Sequence, residues 1–83
     1  MAARPTLKSH PLEDRLRSAM IAERRRRGVT QDQLAAKMGY PWQGAVGKVE
    51  CKACPLNLRF MLHYADALGV AVEDLIAAAR SMP

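Results

Sequence analysis

Apolar residues recur along this chain at spacings of three and four, the period of a helix buried on one side. Leu12, Leu16, Ala19 and Met20 form one such stripe, Leu34, Ala35 and Met38 a second, and Val46 and Val49 a third. Leu58, Met61, Leu62, Ala65 and Leu68 form a fourth, and Val72, Leu75, Ile76 and Ala79 a fifth. No stretch alternates with a period of two, so no strand is expected. The punctuation between stripes agrees with helices. Pro11 suits a first helical turn. Glu13 and Asp14 follow it, and the arginine run at 24–27 closes the same segment, both placements complementing the helix dipole. Gly28 then ends the first helix as a left-handed cap. Thr30 caps a second helix over Gln31–Met38, with Gln33 completing a capping box. Gly39 ends it, and only Tyr40 and Pro41 precede the third helix, expected over roughly 41–50. That helix contains Gly44 and Gly47, each costing about 1 kcal/mol of helix propensity relative to Ala. Residues 51–56 read as a loop. Asn57 caps a fourth helix, Gly69 stops it, Val70 packs back onto the bundle, and a short fifth helix covers 72–79. The expected fold is all-α, a compact five-helix bundle over residues 11–80 behind a flexible basic arm at residues 1–10.

Composition sharpens this in two ways. Aromatic residues are only 5% of the 83, so the core has to be aliphatic. The net charge of +5 is unevenly placed. Residues 1–52 carry eleven Lys/Arg against five Asp/Glu, or +6; residues 53–83 carry two against three, or −1. A basic first part and a slightly acidic end suit a chain with one face toward a polyanion. The plainer alternative is a solvated surface that happens to be basic. No apolar run is long enough to span a membrane and no signal peptide stands at the start, so the chain reads as cytoplasmic, in the company of the nucleoid if it binds DNA.

The segment 30–50 carries the functional signal. Counting from Gln31, Ala35 lies four residues on and Gly39 four further, followed by Val46 and Val49. Ala35 is small where two helices would cross, Gly39 supplies a left-handed turn, and the two valines anchor the third helix on the second. With these residues the chain resembles the Cro/lambda-repressor-type helix-turn-helix family, the XRE family. The resemblance is carried by Gly28-Val29-Thr30-Gln31, Leu34-Ala35, Met38-Gly39, Val46-Gly47-Lys48-Val49-Glu50 and Ala65-Asp66-Ala67-Leu68-Gly69-Val70, and covers about residues 12–79. Against the family pattern, the stretch from Gly39 to Val46 and the loop from Glu50 to Asn57 are each one residue longer. Gly47 replaces a common Ser, and Glu23 falls where a small or apolar residue is usual.

The resemblance implies a third helix that enters the major groove. Base contacts are then expected from its leading end: Trp42, Gln43 through a bidentate pair with adenine, Gly44 through close backbone approach, Ala45 against a thymine methyl, and Lys48. Phosphate contacts are expected from Arg27, Thr30, Gln31, Lys52 and Arg59. Bland alternatives stand beside these: Trp42 packed inward, the glycines serving tight helix packing, and Gln31 as N-terminal polar filler. Four consecutive arginines point in four directions, so the run cannot act as a unit. The resemblance also implies an internal salt bridge from Arg24 to Glu50. His63 and Tyr64 read as surface or interface positions.

Cys51 and Cys54 are spaced as CxxC, half a zinc site. Completion would need His63 or His10 and a further ligand, so the reading is two thiols in a loop, with no metal and no cofactor. No nucleophile–base pairing or Gly-rich phosphate loop suggests an enzyme. The expected function is a sequence-specific transcriptional regulator, a repressor, binding double-stranded DNA as a homodimer on an inverted repeat with recognition helices ~34 Å apart. At this length no effector domain is expected. A phage or prophage repressor, a restriction-modification controller and an antitoxin with its toxin as partner all fit. Leu75, Ile76 and Ala79 are the expected dimer contact. A protein-interaction module that keeps the fold without reading bases is the alternative.

Overall fold

A computed structural model describes Lys8 and residues 10–40, 44–52 and 54–82. Five helices occupy the described residues, with no strand among them: α1 (Pro11–Arg26), α2 (Gln31–Met38), α3 (Gly44–Glu50), α4 (Leu58–Leu68) and α5 (Val72–Arg80). The expected arm at 1–10 lies outside the described residues except for Lys8 and His10, as do the expected first residues of the third helix, 41–43.

Local chemistry sets the helix ends. His10 caps α1, its Nδ1 accepting from the Leu12 amide at 3.0 Å. At the other end Gly28 takes φ +69°, and the amides of Gly28 and Val29 return to the carbonyls of Arg25 and Arg24. That satisfies two carbonyls a helix end would otherwise leave bare. Thr30 and Gln33 form the capping box of α2, through Gln33 N to Thr30 Oγ1 at 3.1 Å and Thr30 N to Gln33 Oε1 at 3.0 Å. Gly39 closes α2 at φ +83°, a conformation that strains an L side chain. Asn57 Oδ1 accepts from the Phe60 amide at 2.8 Å and caps α4.

The core collects Leu16, Ala19 and Met20 from α1, Leu34 and Ala35 from α2, and Val46 and Val49 from α3. From α4 it takes Phe60, Met61, Tyr64, Ala65 and Leu68, and from α5 Leu75 and Ala79. α1 packs most extensively on α5, and α2 lies against both α3 and α4. Val70 packs against this cluster, as its position after Gly69 suggests.

Two expectations are corrected here. On α4 the buried face is rotated from the expected stripe: Phe60 and Tyr64 are inside, whereas Leu58 and Leu62 are 64% and 42% exposed. Both stripes have helical spacing, and Phe60 with Tyr64 fills more volume while Tyr64 finds a polar partner for its hydroxyl inside. The reading of Tyr64 as a surface residue is overturned with it; the side chain is wholly buried. On α5, Leu75 and Ala79 were expected at a dimer contact, yet both are consumed by the core. Only Ile76 of that trio remains partly accessible.

Leu34 is completely buried at the meeting of α2 with the core. Leu34→Ala is expected to cost about 2–5 kcal/mol through lost burial and the cavity left behind, measured as a lower urea midpoint with an unchanged m-value.

Candidate functional site

α3 has seven residues and two glycines, too short and too flexible to hold its shape alone. Its outer surface can act as a site only because other elements grip it. Val46 and Val49 face the core. Glu50 at its last position is the main polar anchor. Arg24 Nε donates to Glu50 Oε2 at 2.8 Å and an Arg24 terminal nitrogen to Oε1 at 2.9 Å, a bidentate pair. Gln31 Nε2 donates to Oε1 at 3.0 Å, and the Tyr64 hydroxyl to Oε2 at 2.7 Å. One carboxylate thus accepts from three helices besides its own, with two donors on each oxygen. The Arg24–Glu50 bridge implied by the resemblance is present, with both side chains under a tenth exposed.

Burial opposes ionisation of Glu50, but hydrogen bonds from Arg24, Gln31 and Tyr64, with the charge of Arg24, outweigh it and hold the carboxyl below its ordinary pKa. Burial, reinforced by the hydrogen bond and negative charge of Glu50, pushes the Tyr64 phenol up, so it stays a neutral donor.

A second arginine of α1, Arg17, holds the loop after α3. It is buried, its Nε donates to the Val49 carbonyl at 2.9 Å, and a terminal nitrogen donates to the Cys54 carbonyl at 2.7 Å. Glu13 pairs with Arg17 at 2.9 Å and accepts from the Leu56 amide at 3.1 Å. That backbone bond is the main reason the Glu13 carboxyl lies below its ordinary pKa. Sequence reasoning missed Arg17. The legible signal was its position between Leu16 and Met20 on an apolar face, with Glu13 and Asp14 at helical spacing behind it.

The arginine run divides by function. Arg24 is internal. Arg26 and Arg27 turn back to Glu23, at 2.6 and 2.8 Å. Their hydrogen bonds draw the Glu23 carboxyl down to about 2 against burial. Arg27 also lines a groove shared with Val70, Asp74 and Ala78 on the α5 side. Arg27, an expected phosphate contact, is paired with Glu23 on the side of the bundle next to α5. Arg25 instead lines an open cleft with Thr30, Gln31 and Asp32, at the N-terminus of α2. Arg24 lines the same cleft but is tied to Glu50, so Arg25, not singled out from the sequence, is the exposed arginine beside the two expected phosphate-binding residues.

The other expected contacts sort as follows. Trp42 and Gln43 lie outside the described residues. Gly44 and Lys48 are exposed on α3. Ala45 is 5% exposed, so its methyl is turned inward and the expected thymine contact is corrected. Thr30 is exposed, but its hydroxyl is engaged in the capping box. Gln31 crosses α3 where Gly47 leaves room: a Cβ at Gly47 would lie 3.1 Å from Gln31 Oε1. One of its two amide hydrogens is committed to Glu50. Lys52 takes φ +69° after α3 and reaches Asp14 at 3.4 Å while staying largely exposed. Arg59 is exposed on the first turn of α4. Cys51 is exposed and Cys54 partly buried, both as free thiols. No helix among the described residues is long and apolar enough to cross a membrane.

Tyr64→Phe removes one hydrogen bond to a charged group and is expected to cost about 1.5–3 kcal/mol in urea unfolding. Acid should act through Glu23. Its folded pKa of about 2 lies below the ordinary 4.5, so its contribution is fully present above 4.5 and is lost as pH falls through about 2. Unfolding midpoints followed from neutrality downward should therefore decline less steeply over that window in Glu23→Gln than in the parent chain. In comparisons with known proteins, no family model, curated protein or solved structure matches the chain, and the functional reading rests on the residues themselves.

Proposed function

We propose that this chain is a sequence-specific DNA-binding transcriptional regulator of the Cro/lambda-repressor helix-turn-helix type, a repressor acting as a homodimer on an inverted-repeat operator. The observation that carries the reading is the α2–α3 pair. A short helix with exposed Gly44 and Lys48 is clamped through Glu50 to α1, α2 and α4, and Arg25 stands beside the capped N-terminus of α2. In this reading α3 enters the major groove. The absence of a side chain at Gly44 lets the backbone approach closely, and Lys48 reaches a phosphate or a base edge. The early amides of α2 and the Arg25 guanidinium hold a backbone phosphate, offsetting the like charge of Asp32 in the same cleft. Bound this way, the protein acts by occluding a promoter. The prophage, controller and antitoxin settings suit this mechanism equally.

One observation favours the second reading, an interaction module that does not read bases. With Ala45 turned inward and glycines at 44 and 47, the described part of α3 offers few side chains for base edges. Selection from random DNA followed by sequencing separates the two. The first predicts an enriched inverted repeat; salt-sensitive binding with no enriched motif selects the second. Among point variants, Arg25→Ala and Lys48→Ala are each expected to lower the salt slope of binding by about one unit, whereas Arg27→Ala should leave it unchanged. An equal effect from Arg27→Ala would reject the assignment of Arg25.

A further inference from the structure

The rotated face of α4 leaves an apolar ridge in solvent. Leu58 and Leu62 are one turn apart and are the most exposed large apolar side chains described. Arg59, His63 and Asp66 lie along the same outer arc, all exposed. No hydrogen bond or ion pair engages the side chains of Arg59 or Asp66 among the described residues. Arg59 and Asp66 are seven positions apart, so they share a face but lie about 10.5 Å apart along the axis, too far to pair with each other. α4 therefore presents an apolar centre flanked by one positive and one negative charge at nearly equal distances from Leu62.

We infer that the outer face of α4, centred on Leu62, is the homodimer contact, with a second copy of this chain packed antiparallel across a twofold axis. In that arrangement Leu62 meets Leu62 of the second copy. Arg59 of each copy faces Asp66 of the other, so both charges find partners that neither has within its own chain. The twofold axis requires a self-complementary patch, and this arc has that form. Charge distribution supports the same occupant. Residues 53–83, which contain α4, carry −1 against the +6 of residues 1–52, so the segment that meets its copy is not the strongly basic one. In this arrangement Arg59 serves the interface in place of the expected phosphate contact. One helix face is small beside the ~800 Å² per partner of a standard interface, so the dimer is expected to be weak, dissociating in the micromolar range.

This inference deepens the proposed function and rests on it for the homodimer, but its test needs no DNA. Sedimentation equilibrium of the full chain, from micromolar to submillimolar concentration, should show a monomer–dimer equilibrium. Leu62→Lys should weaken it by at least about tenfold. Arg59→Asp and Asp66→Arg each set like charges opposite one another and should weaken it severalfold. The double variant, with the charges exchanged, should return to within about threefold of the parent. Circular dichroism of each variant checks that the fold is kept, and if Leu62→Lys fails to fold, the three charge variants decide alone. A strictly monomeric parent chain, or a double variant no tighter than the singles, overturns the inference. So does dissociation by Ile76→Lys but not by Leu62→Lys, which would move the contact to α5 and leave the homodimer standing. Operator selection reports separately on DNA reading, so the two failures remain distinguishable.

Discussion

Glu50 is the constraint on which the rest of the structure depends. A carboxylate taken out of water costs several kcal/mol unless its charge and its lone pairs are met. Here they are met by Arg24 from α1, Gln31 from α2 and Tyr64 from α4. Each donor constrains its own helix. Arg24 must leave α1 in its last turn, Gln31 must open α2, and Tyr64 must point inward, which settles the rotation of α4. Because a half-satisfied network of this kind is worse than none, the arrangement is close to all-or-none, and it defines where α3 sits.

That explains how an intrinsically poor helix becomes a presentable surface. Gly44 and Gly47 weaken α3, yet Gly47 is also what lets the Gln31 side chain cross toward Glu50. Arg17 secures the other side by accepting the load of the loop, bonding the carbonyls of Val49 and Cys54. Two arginines two turns apart on α1 thus hold the end of α3 and the chain that leaves it. The helix propensity lost at the glycines is offset by tertiary contacts, and the outer face of α3 remains unencumbered by bulk.

The same economy separates the basic residues. Of four consecutive arginines, one is structural, two are neutralised by Glu23 and one faces the cleft at the start of α2. The charge available to a polyanion is therefore smaller and more localised than the run suggests. Leu75 and Ala79 of α5 are spent on the core and Ile76 is only partly accessible, so the most exposed large apolar side chains on the described helices are on α4.

The sequence by itself determined the helices and their ends. Spacing marked five stripes, and Thr30, Gln33, Gly39, Asn57 and Gly69 marked boundaries, because capping and left-handed turns are decided within a few residues. The Arg24–Glu50 bridge was legible only through the family resemblance, since nothing local joins residues 26 positions apart. What only the tertiary structure decided was orientation. Two stripes on α4 had equally good spacing, and the choice between them fell to Tyr64, whose hydroxyl needed a partner on a distant helix. Ala45 reads as an exposed small residue until α3 is docked, and Arg25 and Arg27 are interchangeable until Glu23 claims one of them. Rotation about a helix axis is set by what the neighbouring helices offer, and that information lies in pairs of residues far apart in the chain.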